Sequence, residues 1–163
     1  MAFLWVSVSP DRCALAQSLP LWNRLDILLG TWESAGDTQL GAGQGTAVFT
    51  RELHGQVMVR RSTADYTSGP QAGTHHDDLL IIYRNEPDGP PKAIYFDSEG
   101  HVIHYAVSSL AENAVLFQSD GSDPGPRYRL TYARVSARLN GTFEVAAPGG
   151  EFKTYLSWTS TRR

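Results

Sequence analysis

The rhythm of apolar and polar positions changes once along this chain. From Leu21 the apolar residues Leu21, Trp22, Leu25, Leu28 and Leu29 recur at helical spacing, with Pro20 suited to a first turn and Gly30 to a C-terminal cap. They predict one helix of about three turns. After Gly30 the period falls to two, and strands are predicted over 31–35, 45–54, 56–66, 77–84, 92–97, 101–109, 114–120, 127–135, 142–146 and 151–159. Between them His54-Gly55, Asp88-Gly89-Pro90, Ser98-Glu99-Gly100, Glu112-Asn113, Asn140-Gly141 and Gly149-Gly150 supply residues that preset turns or tolerate positive φ. Short joints pair sequential strands antiparallel, and a meander this long either exposes two edges or closes on itself. Alternation alone, as in Tyr128, Leu130 and Tyr132 against Arg127, Arg129 and Thr131, fits a sandwich as well as a barrel.

The opening motif separates the two. Gly30-Thr31-Trp32, with a helix before it and strands after it, resembles the start of the calycin superfamily of lipocalins, fatty-acid-binding proteins and nitrobindin-like proteins. The run from Leu25 to Trp32 and the hairpin from Tyr95 to Ile103 are similar to uncharacterised bacterial calycin-like domains, and the layout agrees over nearly the whole chain after Leu19. The resemblance implies an all-β fold, a closed antiparallel up-and-down barrel of about ten strands with one short N-terminal helix. It also implies that Trp32 seals the closed end, stacked against an arginine from late in the chain, here Arg162. Two departures limit what it carries over. Nitrobindin-like proteins hold heme through a histidine near the C-terminus, whereas this chain has none after His104, so neither heme nor another cofactor is expected. In place of the Arg-x-Tyr carboxylate clamp of fatty-acid-binding proteins stands Lys153-Thr154-Tyr155, so fatty-acid specificity does not transfer.

A length of 163 residues suits one domain, the barrel over 18–163 preceded by an arm over 1–17. The net charge of -3, with only the doublets Arg60-Arg61 and Arg162-Arg163, gives no basic stripe and excludes a nucleic-acid footprint. A single cysteine, Cys13, excludes a disulfide framework and a cysteine-rich zinc site. The apolar run from Ala2 to Val8 is too short to span a bilayer, and no membrane partner is expected. Ala14-Leu15-Ala16 has the form of a leader cleavage site, but no basic residue precedes the run. A cytoplasmic protein is the default, with export through a leader as the alternative.

Candidate chemistry follows from the faces. Asp97-Ser98-Glu99-Gly100 fits a type I turn with Gly100 left-handed, which sets Asp97 opposite His101. Period two then puts Tyr95, Ile103 and Tyr105 on the same face, enough for acid–base work if that face lines a cavity. The simpler expectation is a self-capped aspartate beside a solvated histidine. His75-His76-Asp77-Asp78 has metal-ligand chemistry, but neighbours on an extended chain point apart, and a solvated loop end after Gly73 is the expected reading. Arg60 and Arg61 point to opposite faces, so one faces inward and must meet an anion, a carboxylate or water. Gly41-Ala42-Gly43-Gln44-Gly45 lacks the lysine of a phosphate loop and reads as a flexible connection. No nucleophile motif is present.

The chain is therefore expected to hold an apolar or amphipathic small molecule inside a barrel, in contact with Trp32, Arg60, Tyr95, Asp97, His101 and Tyr105, with neither metal nor catalytic residues assigned. An enzyme on the same scaffold and a filled barrel serving as an interaction module are the alternatives. A second copy of the chain is a partner that the sequence leaves open.

Overall fold

The computed structural model describes residues 20–121 and 124–163. The predicted arm over 1–17, the leader-like segment and Cys13 lie outside the described residues. An α-helical turn, α1 (Leu21–Arg24), runs into a 3-10 turn (Leu25–Leu28), and ten strands follow: β1 (Gly30–Thr38), β2 (Gly41–Glu52), β3 (Val57–Tyr66), β4 (His75–Tyr83), β5 (Lys92–Asp97), β6 (Val102–Ala111), β7 (Ala114–Ser119), β8 (Arg127–Val135), β9 (Arg138–Ala146) and β10 (Lys153–Arg162). Each strand pairs antiparallel with its sequence neighbour, and β1 pairs with β10, closing the barrel. Among the described residues no helix is long and apolar enough to cross a membrane.

All ten predicted strands are present, and the helix is shorter than its pattern implied. Trp22, Leu25 and Leu28 are its buried residues. Their spacing of three is the period at which side chains eclipse in a 3-10 helix, so the second turn tightens and ends at Leu28. Leu29 is already extended (φ -54°, ψ 138°), and Gly30 opens β1 instead of capping a helix.

Two glycine readings are corrected. Asn140-Gly141 is no turn but the middle of β9, paired with Thr159 and Trp158 of β10. The β8–β9 reversal comes earlier, at Ser136, which takes φ 54°. The run from Gly41 to Gly45 lies inside β2. A Cβ at Gly41 would fall 1.8 Å from the Ser68 carbonyl oxygen, so these glycines admit a close-packed neighbouring segment.

The ends of the barrel differ. At the foot, Leu25, Leu28, Met58, Leu80, Ile82, Val115 and Phe117 are fully buried, so the helical turns act as a plug. Arg51 fastens the plug through Asp26 (2.6 Å) and the Trp22 carbonyl (2.7 Å). Trp32 lies here, 1% exposed, its indole N–H donating to the Leu28 carbonyl at 2.7 Å. It pairs across the closing ladder with Arg162. The guanidinium carbons of Arg162 and Arg134 each lie 5.9 Å from its ring centre. The Trp–Arg stack expected at the closed end is thus present, within cation–π range. Gly30 belongs to the same device, since with φ 118° it leaves room for the Arg162 side chain, whose Nε would sit 3.0 Å from a Cβ there.

Candidate functional site

Opposite the plug the lumen opens into a cavity of about 640 Å³. Inward-facing residues of most of the strands supply its wall. On β3 that face is Arg60, Ser62, Ala64 and Tyr66; on β4, His76 and Asp78; on the β5–β6 hairpin, Tyr95, Asp97, His101, Ile103 and Tyr105; on β8, Tyr128, Leu130 and Tyr132; on β10, Leu156 and Trp158. Of the six residues singled out from sequence, Arg60, Tyr95, Asp97, His101 and Tyr105 line this cavity, and Trp32 does not. Trp32 is packed into the foot, where its indole N–H is already satisfied.

Arg60 is the inward member of its doublet, 4% exposed, while Arg61 is exposed. Its guanidinium pairs with Asp78 on the neighbouring strand and donates to the Tyr132 hydroxyl across the lumen. Its Nε has no hydrogen-bond partner among the described residues. Burial opposes the charge on Arg60, but Asp78 outweighs burial and holds the guanidinium protonated. The same balance acts on Asp78, whose carboxyl burial would raise but Arg60 and His76 hold below the usual range. Of the three companions that an inward arginine can meet, the fold supplies a carboxylate.

The run from His75 to Asp78 is not a loop end. It is the start of β4, and the strand's alternation sends His76 and Asp78 inward and leaves His75 and Asp77 exposed. His76 Nε2 lies 3.5 Å from Asp78 and 3.3 Å from the Tyr95 hydroxyl, and its Nδ1 lies 2.9 Å from Glu99. The hydrogen bond to Asp78, opposed by burial and aided by Glu99, lifts the His76 imidazole to about 9, so it carries a proton at neutral pH. Outside, His75 bridges Asp65 (2.6 Å) and Asp77 (3.1 Å).

The β5–β6 turn forms as its residues demand, with Gly100 at φ 89°. Asp97 Oδ1 accepts from the backbone N–H of His101 at 2.8 Å and of Glu99 at 3.2 Å, and Oδ2 meets His101 Nδ1 at 2.9 Å. Burial alone would raise the Asp97 carboxyl, but these bonds hold it below its ordinary value. The self-capped aspartate and the cavity-facing aspartate are one residue doing both. Asp97, Glu99 and His101 offer ligand atoms within 4.8 Å of one another, the donor types of a divalent-cation site. Each of those groups is already engaged, His101 with Asp97 and Glu99 with His76.

Burial raises the phenols of Tyr95, Tyr105 and Tyr132, which therefore line the cavity as neutral hydroxyls. Tyr132 also stands edge-on to Phe49, Phe117 and Trp158, joining the cavity wall to the core beneath. Arg127 and Arg129 face outward, as expected. Arg129 makes a two-pronged pair with Glu144 (2.7 and 2.9 Å), and both arginines stack on Phe152.

Among the cavity residues that sequence reasoning did not select are His76, Asp78, Glu99 and Tyr132, the ones tied to Arg60 and its neighbours. A signal existed for two of them. Once Arg60 is taken as inward, antiparallel pairing of adjacent strands puts a two-residue series on β4 beside it, and that series contains Asp78 and His76.

No protein-family model matches the chain, and no curated protein matches it. Among solved structures it is similar to the crystal structure of Rv2717c from M. tuberculosis, with a TM-score of 0.62 at 12% identity, over 89% of this chain and 98% of that one. At that identity the likeness shows the fold alone.

Proposed function

We propose that this chain is a binding protein that holds one small, largely apolar molecule in the lumen of a calycin-like barrel. The observation that carries the reading is the 640 Å³ cavity at the end opposite the plug. Its size lies in the range of small-ligand sites, and aromatic rings with a few fixed polar groups are the lining such sites use. A barrel needing only stability would continue its core to the rim, as the foot does with Leu80, Ile82 and Phe117. The helix before Gly30-Thr31-Trp32 and the Arg162 stack support the calycin resemblance.

The test is a titration with the neutral fluorophore Nile red, together with native mass spectrometry of the purified chain for a co-purifying adduct. Saturable one-to-one binding is expected, weakened at least tenfold by Ala64→Trp, which fills the cavity from its wall. A wild-type chain that does not bind Nile red, or a folded Ala64→Trp variant that binds it equally well, would overturn the reading.

A second reading has its own support. His76, protonated to about 9, shares the cavity with Asp78, Asp97 and His101, an arrangement suited to proton transfer to a bound molecule. Time-dependent conversion of a bound adduct, abolished by His76→Gln, is the result that would favour an enzyme over a carrier.

A further inference from the structure

The geometry points to an uncharged amphipathic ligand, one presenting a hydroxyl, carbonyl, ester or amide to the wall in place of a carboxylate or phosphate. This rests on the binding reading above and specifies its ligand class. Among the described residues, the basic side chains on the cavity wall are Arg60, His76 and His101, and the carboxylates are Asp78, Asp97 and Glu99. Each basic side chain has its own carboxylate: Arg60 on Asp78, His76 on Glu99 at 2.9 Å, and His101 on Asp97 at 2.9 Å.

An anionic head entering such a cavity loses its water and finds no unmatched cation in return. Beside Arg60 it meets the Asp78 carboxylate as well, and the attraction of one is offset by the repulsion of the other. The inward arginine alone suggests an anchor for an acid; the arginine with its neighbour on β4 makes a polar but charge-balanced wall. The one unengaged N–H of the Arg60 guanidinium, at Nε, is itself buried, and the groups otherwise available on that wall are neutral. The Tyr132 hydroxyl accepts a hydrogen bond from Arg60, which leaves its own proton to donate to a ligand oxygen. Tyr105 and Tyr128 add hydroxyls around the same space, and Leu130, Ile103, Leu156 and Trp158 receive the apolar body.

The experiment is a competition for Nile red in the full chain at neutral pH, using 1-decanol and decanoate, which match in chain length and differ in head group. Decanol is expected to displace the dye at a concentration at least tenfold lower. Partition into any apolar site favours the alcohol, so the deciding quantity is how that preference changes in Asp78→Asn, a near-isostere that leaves Arg60 a net cation. The alcohol-over-acid ratio is expected to fall at least tenfold in this variant. Should Asp78→Asn fail to fold, Glu99→Gln at the exposed rim releases one partner of His76, and a fall of about threefold is expected there. Decanoate binding to the wild type as well as decanol does, or a ratio unmoved in the folded variants, would overturn the inference. Failure of Nile red to bind the wild type is a separate result, which removes the binding reading beneath it.

Discussion

At the scale of single residues, the cavity is organised by what Arg60 requires. A guanidinium 4% exposed needs a fixed carboxylate, and Asp78 in turn draws His76 into its protonated form. The sign of the resulting pH dependence is set by His76, whose folded value of about 9 stands above its ordinary 6.5. Its contribution to stability is complete below 6.5 and is lost as pH rises through about 9. Because the imidazole is partly solvated, the loss is about 1 kcal/mol. Urea midpoints measured between pH 6 and 10 should fall across that window, and His76→Gln should flatten the fall. The inward arginine was legible in the Arg60-Arg61 doublet, because opposite faces of a strand leave one member no other direction. His76 and Asp78 were not selected, because the polar run after Gly73 has the composition of a loop end; the predicted strand began only at 77, and pairing with β3 extends it back to His75.

At the scale of elements, strands were readable from alternation, while glycines misled wherever their role was to make room and not to turn. Gly141 is the clear case. A Cβ there would lie 2.2 Å from two ring carbons of Trp158, so the residue is glycine because an indole from β10 lies flat across β9. Asn-Gly is a strong hairpin signal in isolation, and nothing local to it reveals a ring that arrives from seventeen positions further on. Gly141→Ala should force Trp158 aside and cost about 1–3 kcal/mol. Thermal unfolding measures the cost, and because Trp158 lines the cavity, a weaker Nile red complex should accompany it. The helix shows the same limit from another side. Its buried positions were visible, but the choice between 3.6 and 3.0 residues per turn was made by the barrel foot it plugs.

At the scale of the whole molecule, closure was inferred from strand number and the Gly-x-Trp opening, and the β1–β10 ladder fulfils it. That ladder is short. It holds Trp32 with Arg162, Glu33 with Thr161 and Ser34 with Ser160, whereas β1 and β2 are paired along the whole length of β1. Native-state hydrogen exchange should therefore report faster opening for the amides of β10 that face β1 than for those of β8 and β9, which are paired on both sides. Equal protection around the ring would contradict this. Above Ser34 the two strands are bridged by Gln39, whose side chain reaches the Ser157 backbone N–H at 3.3 Å and hydroxyl at 3.4 Å. Toward the rim the β1–β10 seam thus lacks the backbone ladder and is spanned by the Gln39 side chain. If the lumen holds a guest as proposed, this seam is where the wall would yield first to one longer than the cavity, while the sealed base with its indole stays undisturbed.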